Sequence, residues 1–418
     1  MPSVETFWGL PAEVKFCKIC NITNQRPNSV NEYEHTRDSR KNTIKFNAQG
    51  VCAACVNKEK QHTTVDWKKR EEELIALCDK YRRNDGSYDC IVPGSGGKDS
   101  VFASWLLKYK YGMHPLTVTW SPHLYTDVGW KNFQSWVHRG GFDNFLFTPN
   151  GRVHRLLTRL AVQNLLHPFQ PFIIGQKTFV TKMCLQYDIP LAFYGEMPGE
   201  YGTSAGGDQA DEKKFADKAG SGFSLDMTGG KSVDDLRLGG TSVREIIDRH
   251  DVSLNDLKAY LPLDPALLQQ KKMDVYYLGY FVKWDPQECY YFSVDKIGFE
   301  ANPVRTEGTY SKYNSLDDRI DGFFYYTSWI KFGMGRAMQD SSQEVRNKKI
   351  TTEEGKSLVK KFDGEFPKRY YAEFLEYVGM TDEQFIALCD EFRSPHLWAK
   401  VNGEWKLKHT VNKDGIND

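Results

Sequence analysis

Gly94-Ser95-Gly96-Gly97-Lys98-Asp99-Ser100 places permissive glycines beside a cation and a carboxylate, directly after the strand-like run Tyr88 to Pro93 and directly before a helical pattern. A strand, a tight glycine turn and a helix N-terminus present free N–H groups and a positive dipole end, and phosphate is the natural guest of that arrangement. The loop is not a Walker A sequence, because Asp99 follows Lys98 and Val92 stands where that motif needs glycine. Nor is it G-x-G-x-x-G, since Asp99 occupies the third glycine position. The plain alternative is a glycine turn with a Ser or Asp capping the helix.

Cys17-Lys18-Ile19-Cys20 and Cys52-Ala53-Ala54-Cys55 form two C-x-x-C pairs separated by thirty-one residues, positions 21 to 51. Each pair can grip a metal from one tight turn, and four thiolates suit a closed, structural Zn²⁺ site. The alternative is four reduced cysteines without metal. Cys78, Cys90, Cys184, Cys289 and Cys389 stand singly and read as small core residues. Glu196 and Glu200 come after a strand signal, where carboxylates can bind Mg²⁺, orient ammonia or accept its proton, or can simply be solvated. Lys331 and Arg336 lie in a glycine-punctuated segment suited to pyrophosphate or a sugar carboxylate, against the alternative of a solvated helical face.

These groups need elements to hold them. Tyr88 to Pro93, Leu116 to Trp120, Phe145 to Thr148, Phe172 to Gly175 and Leu191 to Tyr194 read as strands. Asp99 to Tyr109, Gly129 to Val137, Val153 to Leu165 and Lys177 to Tyr187 read as helices between them. The alternation predicts an α/β fold with a doubly wound, mostly parallel sheet. Ligands on such sheets sit beyond the carboxyl ends of the strands. Residues 66 to 83 read as an amphipathic helix, Val275 to Trp284 as a strand-like aromatic run, and 315 to 393 as mainly helical. The glycine-rich, apolar-poor segment 196–241 reads as a mobile lid, and Val411 to Asp418 as a fraying tail. The resulting division is a zinc-binding module at 1–65, a nucleotide core at 66–260 and a helical substrate or partner region at 261–418.

With 418 residues, 40% of them hydrophobic, the chain can bury more than one core. Lys plus Arg and Asp plus Glu are equal at 55 each, so no global field gathers nucleic acid or acidic membrane. The start of the chain lacks a signal-like apolar stretch, and no eighteen-residue apolar run comes later. Together with unpaired cysteines this sets the expectation of a cytoplasmic protein.

The loop Ser95 to Ser100 is similar to the signature of the PP-loop ATP pyrophosphatases. That resemblance implies cleavage of ATP between the α and β phosphates, with Lys98 neutralising pyrophosphate and Asp99 helping to hold Mg²⁺. Across nearly the whole chain the sequence resembles the N-acetyl sugar amidotransferase family of the WbpG/PseA type. The resemblance is carried by the cysteine pairs, Thr23 to Pro27, Val65-Asp66-Trp67, Pro168 to Gln176, Tyr194-Gly195-Glu196, Tyr277 to Phe281, Ser315 to Asp318 and Lys331 to Ala337. It implies conversion of a sugar acetamido group to acetamidino in lipopolysaccharide or other surface-glycan synthesis. The catalytic residues are then Lys98, Asp99, Glu196 and Glu200. ATP is held by Ser95, Gly96, Gly97, Lys98, Asp99 and Ser100, joined by Gln176, Lys331 and Arg336. It further implies a nucleotide-sugar or other N-acetyl sugar substrate, and ammonia delivered by a glutaminase subunit with a cyclase-like barrel partner. Two competing readings share the loop: a tRNA thiolation enzyme, and a regulator that binds nucleotide without turnover.

Overall fold

The computed structural model describes residues 5–27, 38–197 and 232–418. A five-stranded parallel sheet organises them. Its strands are β1 (Cys90–Pro93), β2 (Pro115–Trp120), β3 (Asn144–Phe147), β4 (Leu191–Tyr194) and β5 (Asp274–Tyr277), in the order β3-β2-β1-β4-β5. Every pairing in it is parallel, from Cys90 opposite Pro115 to Tyr194 opposite Tyr277. β1 and β2 are buried along their whole length, as strands covered on both faces must be. The order reverses between β1 and β4, so the crevice beyond their carboxyl ends is the place where such a sheet binds ligands.

Helices cover both faces. The helix α1 (Ala53–Thr63) leads into α2 (Trp67–Tyr81), which starts on an Asp66 cap and buries Leu74 and Cys78. After β1 comes α3 (Lys98–Trp105), prolonged by one wide π turn at Leu106–Lys110. Next come α4 (Asp127–His138), α5 (Gly151–Leu165) and α6 (Gln170–Gln186). One expected strand does not exist. Phe172 to Gly175 lies inside α6, because Pro171 in the first turn pre-sets a helical φ and buried positions continue through Phe179 and Val180 to Cys184 on the same element. Four apolar residues fit a strand or a buried helix equally well, and only the length of the surrounding run decides. Gly175 faces Trp120 of β2 so closely that a Cβ there would lie 2.2 Å from the indole.

The last part of the expected lid, residues 232–241, is fixed in place. Leu236 and Leu238 are buried in the main core, a short hairpin pairs Arg237–Leu238 with Thr241–Ser242, and Gly239 N donates to Gln170 Oε1 at 3.0 Å. These apolar anchors fix residues 232–241 to α5 and α6, while 198–231 lie outside the described residues. The tail is anchored as well, since Asn417 N donates to Lys408 O at 2.9 Å and the Asp418 carboxylate accepts from Thr410 N at 2.9 Å.

The C-terminal region is helical, with Asp321–Phe332, Arg336–Arg346, Thr352–Phe362, Tyr371–Val378 and Asp382–Glu391 leading to a hairpin, Trp398–Val401 and Glu404–Leu407. It is not separate from the cysteine region. Cys17, Cys20, Cys52 and Cys55 share one apolar cluster with Met334, Met338, Val345 and Val359. Among the described residues no helix is long and apolar enough to cross a membrane.

Candidate active site and metal centre

The turn after β1 is shaped by what little space it has. Gly96 has φ +83°, and a Cβ there would lie 2.7 Å from the Phe133 backbone, so no other residue fits. Gly97 caps α3, leaving the first N–H groups of that helix without intrahelical partners and pointing at the crevice. Gly195, after β4, allows the second wall to close in, since a Cβ would meet the Asp99 carbonyl oxygen at 2.3 Å. The two loops that flank the reversal in strand order are therefore packed against each other.

Between them and the C-terminal helices lies a cavity of about 250 Å³. Ser95, Gly96, Gly97, Lys98 and Asp99 line its floor, with Glu196 beside them. Lys98 Nζ pairs with Asp99 Oδ2 at 2.6 Å, and Trp284 Nε1 donates to Asp99 Oδ1 at 3.1 Å. Burial opposes the Lys98 charge, but Asp99 outweighs it and holds the ammonium above its ordinary value. Lys98 is thus a firm cation next to the helix start, a setting for pyrophosphate. Ser100 does not face the cavity; its Oγ donates to Gly97 O at 2.8 Å and secures the turn.

Glu196 is exposed and also lines the cavity. Burial, with the Asp99 charge added, pushes its carboxyl up to about 7 against the pull of Lys98 and Lys177. Asp317 is raised as well, by burial first and by Asp318, while a hydrogen bond from Ser95 and the Lys98 charge act the other way. Asp99, Asp317 and Glu196 line one cavity and offer hard oxygen ligands of the kind Mg²⁺ takes.

The opposite wall comes from the Arg336–Arg346 helix, whose Arg336, Gln339, Asp340, Gln343 and Arg346 all face the cavity. Arg336 Nε pairs with Asp340 Oδ1 at 2.9 Å, and its guanidinium carbon lies 4.1 Å from the Tyr325 ring centre. Asp363 holds the start of the helix, accepting from Gly335 N at 2.9 Å and Met338 N at 3.1 Å. Asp363→Ala is expected to lower stability by about 1–2 kcal/mol, the usual effect of losing such a cap. Urea unfolding checks it, and an unchanged midpoint would mean that packing alone holds the helix.

The structure separates some residues that the sequence grouped. Lys331 is 2% exposed and does not line the cavity. Its Nζ donates to Leu165 O at 2.9 Å, placing a cation on the last carbonyls of α5, where the helix dipole favours it. Gln176, on α6, is also absent from the cavity lining, although the neighbouring Lys177 is near enough to act on Glu196. Glu200 lies outside the described residues. Arg26, Asn132, Trp284, Asp317, Gln339, Gln343 and Arg346 also line the cavity; none has a site role in the sequence reading, though Arg26 and Asp317 stand in the segments Thr23 to Pro27 and Ser315 to Asp318 that carry the resemblance. Polar residues spaced as at 336, 339, 343 and 346 ordinarily mark a solvated helix face, so the spacing alone carries no signal of a site.

The four sulfurs lie within 4.8 Å of one another and are buried. Cys17 and Cys55 are 3.8 Å apart and Cys20 and Cys52 are 3.6 Å apart. Bonds of about 2.3 Å to a tetrahedral Zn²⁺ require sulfurs roughly 3.8 Å apart. The cluster fits a metal. Each pair sits on a turn, Cys17 N bonding to Ile22 O at 2.8 Å and Asn47 N to Val51 O at 3.0 Å. Burial opposes ionisation of Cys20, yet the neighbouring thiols and the Arg346 guanidinium hold it well below the ordinary thiol range.

Residues 307–412 match the family described as LPS biosynthesis protein WbpG-like, C-terminal domain. An uncharacterized protein of Methanocaldococcus jannaschii is 36% identical over 84 residues, which is 20% of this chain and 29% of that protein's length. The chain therefore spans under a third of that curated relative. Among solved structures, the NH3-dependent NAD synthetase from Campylobacter jejuni covers 50% of this chain and 93% of its own, at 14% identity and a TM-score of 0.26. NMN synthetase from Francisella tularensis covers 48% and 99%, at 12% identity and a TM-score of 0.25. The matched residues 307–412 supply the cavity wall that faces the glycine loop at the reversal point of the parallel sheet, so this region is similar to the WbpG-like C-terminal domain.

Proposed function

We propose that this cavity is the catalytic centre of an ATP-dependent N-acetyl sugar amidotransferase acting in surface-glycan biosynthesis. The observation that carries the reading is the meeting of the phosphate loop, Glu196 and the WbpG-like wall in one cavity. The loop N–H groups and Lys98 hold the β and γ phosphates of ATP, and Asp99 with Asp317 holds Mg²⁺, which neutralises phosphate charge. The acetamido oxygen of the sugar attacks the α phosphorus, and pyrophosphate leaves along the loop. Ammonia then adds to the imidate carbon, loses a proton to Glu196, and displaces the oxygen as AMP, leaving the acetamidino group. Adenylation is needed because an amide oxygen is otherwise a poor leaving group.

Supply of the nitrogen is part of the proposal. A glutaminase partner with a cyclase-like barrel subunit delivers ammonia, since near neutral pH free ammonia is mostly ammonium and a weak nucleophile. A tRNA thiolation enzyme would use a reactive cysteine near ATP, whereas all the cysteines here are buried. Incubation with ATP, ammonium and a panel of N-acetyl sugars is expected to give AMP, pyrophosphate and the mass change of replacing oxygen by NH. Glutamine is expected to serve only after the partner subunits are added. ADP and inorganic phosphate as main products would overturn the reading, and full activity of the isolated chain with glutamine would overturn the partner assignment.

Glu196 gives the reaction a pH signature. Its carboxyl sits near 7, above the ordinary carboxylate range, so its base form accumulates as pH rises through 7. The rate with sugar under subsaturating conditions is expected to rise with pH across that value, and Glu196→Gln is expected to remove the inflection. A profile unchanged by Glu196→Gln would assign the proton to another group. For stability the sign is opposite: a raised carboxyl favours the folded state most below the ordinary range, and that contribution is lost as pH passes 7.

A further inference from the structure

Both ends of the Arg336–Arg346 helix have partners that differ in kind. Asp363 holds its start, and its end rests on the cysteine cluster. Arg346 is 5% exposed, lines the nucleotide cavity, and its Nη1 donates to Cys20 Sγ at 3.4 Å. Ser342 Oγ on the same helix donates to Cys20 O at 2.7 Å, so the same cysteine is gripped by backbone and by sulfur. His62 Nε2 of α1 lies 3.2 Å from Arg346 O. A second connection leaves α1 through Lys58, which is 2% exposed and whose Nζ donates to Trp284 O at 3.3 Å. Trp284 in turn donates to the Asp99 carboxylate of the phosphate loop. Arg26, from the strip between the two cysteine pairs, lines the cavity itself.

We infer that the four-cysteine centre is a structural wall of the nucleotide cavity, and that Arg346 is the positioning residue through which metal loading is transmitted to the phosphate site. The inference rests on the readings that the cluster holds a metal and the cavity holds phosphates. A divalent ion in four thiolates leaves about two excess negative charges, which a buried guanidinium offsets. Without metal the two cysteine turns are no longer tied to one centre, and the Cys20 turn that Arg346 and Ser342 hold is free to shift. The helix then loses its fixed end, and the row of Arg336, Gln339, Gln343 and Arg346 loses its register against Lys98. Coupling of this kind is reciprocal: phosphate binding that orders Arg346 must also tighten the metal.

The test uses the full chain. Metal content is measured first by elemental analysis, and pyrophosphate with Mg²⁺ is titrated by calorimetry. Wild-type protein with no metal overturns the metal centre and the inference together, whereas failure of wild type to bind pyrophosphate overturns the phosphate reading. With both present, Arg346→Ala is expected to speed metal transfer to a chelating dye roughly 10- to 100-fold, the usual range for loss of a group bonded to a metal ligand. It is also expected to weaken pyrophosphate binding about tenfold, with Arg346→Lys moving both values back toward wild type. A change in one readout without the other overturns the inference, because a purely structural residue or a purely phosphate-binding one would give that result. Cobalt-substituted wild type serves if Arg346→Ala does not fold. Saturating pyrophosphate is expected to shift its thiolate-to-cobalt charge-transfer band, and an unmoved band overturns the inference.

Discussion

Lys98→Ala is expected to lower ATP-dependent AMP formation by roughly 100- to 1,000-fold, the range seen when one group that stabilises developing oxyanion charge is removed. Lys98 has two properties that support so large an effect. It sits at the N-terminus of α3, where backbone N–H groups already favour an anion, and its own charge is held up by Asp99 at 2.6 Å. Removing the ammonium leaves the Asp99 charge without its partner in the loop and takes one positive charge from the phosphate site. Asp99→Ala is expected to act in the same direction through loss of Mg²⁺ affinity, and excess Mg²⁺ should recover none of the Lys98→Ala loss. Circular dichroism is expected to be unchanged for Lys98→Ala, since the side chain contributes little to the core. AMP formation within about threefold of wild type would show that the loop is not the phosphate site.

The second large effect concerns Cys52→Ser. Binding of metal to four thiolates is worth on the order of 10 kcal/mol, and at such sites it is folding energy. Cys52 is fully buried and shares its cluster with Cys17, Cys20 and Met338, so the lost ligand exposes apolar surface on both the cysteine turns and the helices beneath them. Soluble yield is expected to fall sharply, and any soluble fraction should contain no stoichiometric metal. Elemental analysis and thermal unfolding decide it. A well-folded Cys52→Ser protein with the wild-type melting temperature would mean that the cluster is held by packing, with no metal contribution.

Local grammar made much of the site legible in the sequence. The β1 strand, the glycine turn and α3 are contiguous, and each residue there has a reason within a few positions: Gly96 for its positive φ, Gly97 as cap, Lys98 for charge. The cysteine pairs were legible for the same reason, since C-x-x-C encodes a turn. The features that escaped depend on distant partners. Phe172 to Gly175 reads as a strand until Trp120 of β2 is seen lying against Gly175. Lys331 reads as a phosphate ligand until Leu165 O, distant in sequence, claims its ammonium. Arg346 has no role in the sequence reading, because nothing nearby in sequence says that its helix carries its polar face inward, against Cys20 on one side and a cavity on the other.

That composite construction also bears on the order in which the cavity is completed as the chain is made. The cavity draws on Arg26, on the loop at 95–99, on Glu196 and on the stretch from Asn314 to Arg346. Chains emerge from the ribosome N-terminal end first and fold in that order. A nascent chain can therefore assemble β1 to β5 and the phosphate turn while still lacking the facing wall. Such a chain has the turn at 95–99 but lacks Arg336, Gln339, Gln343 and Arg346 of the facing wall, so nucleotide retention is expected only once that wall is added. Ribosome-bound chains arrested before Arg336 are expected to retain no nucleotide, and chains arrested after the last helix has cleared the exit tunnel are expected to retain it.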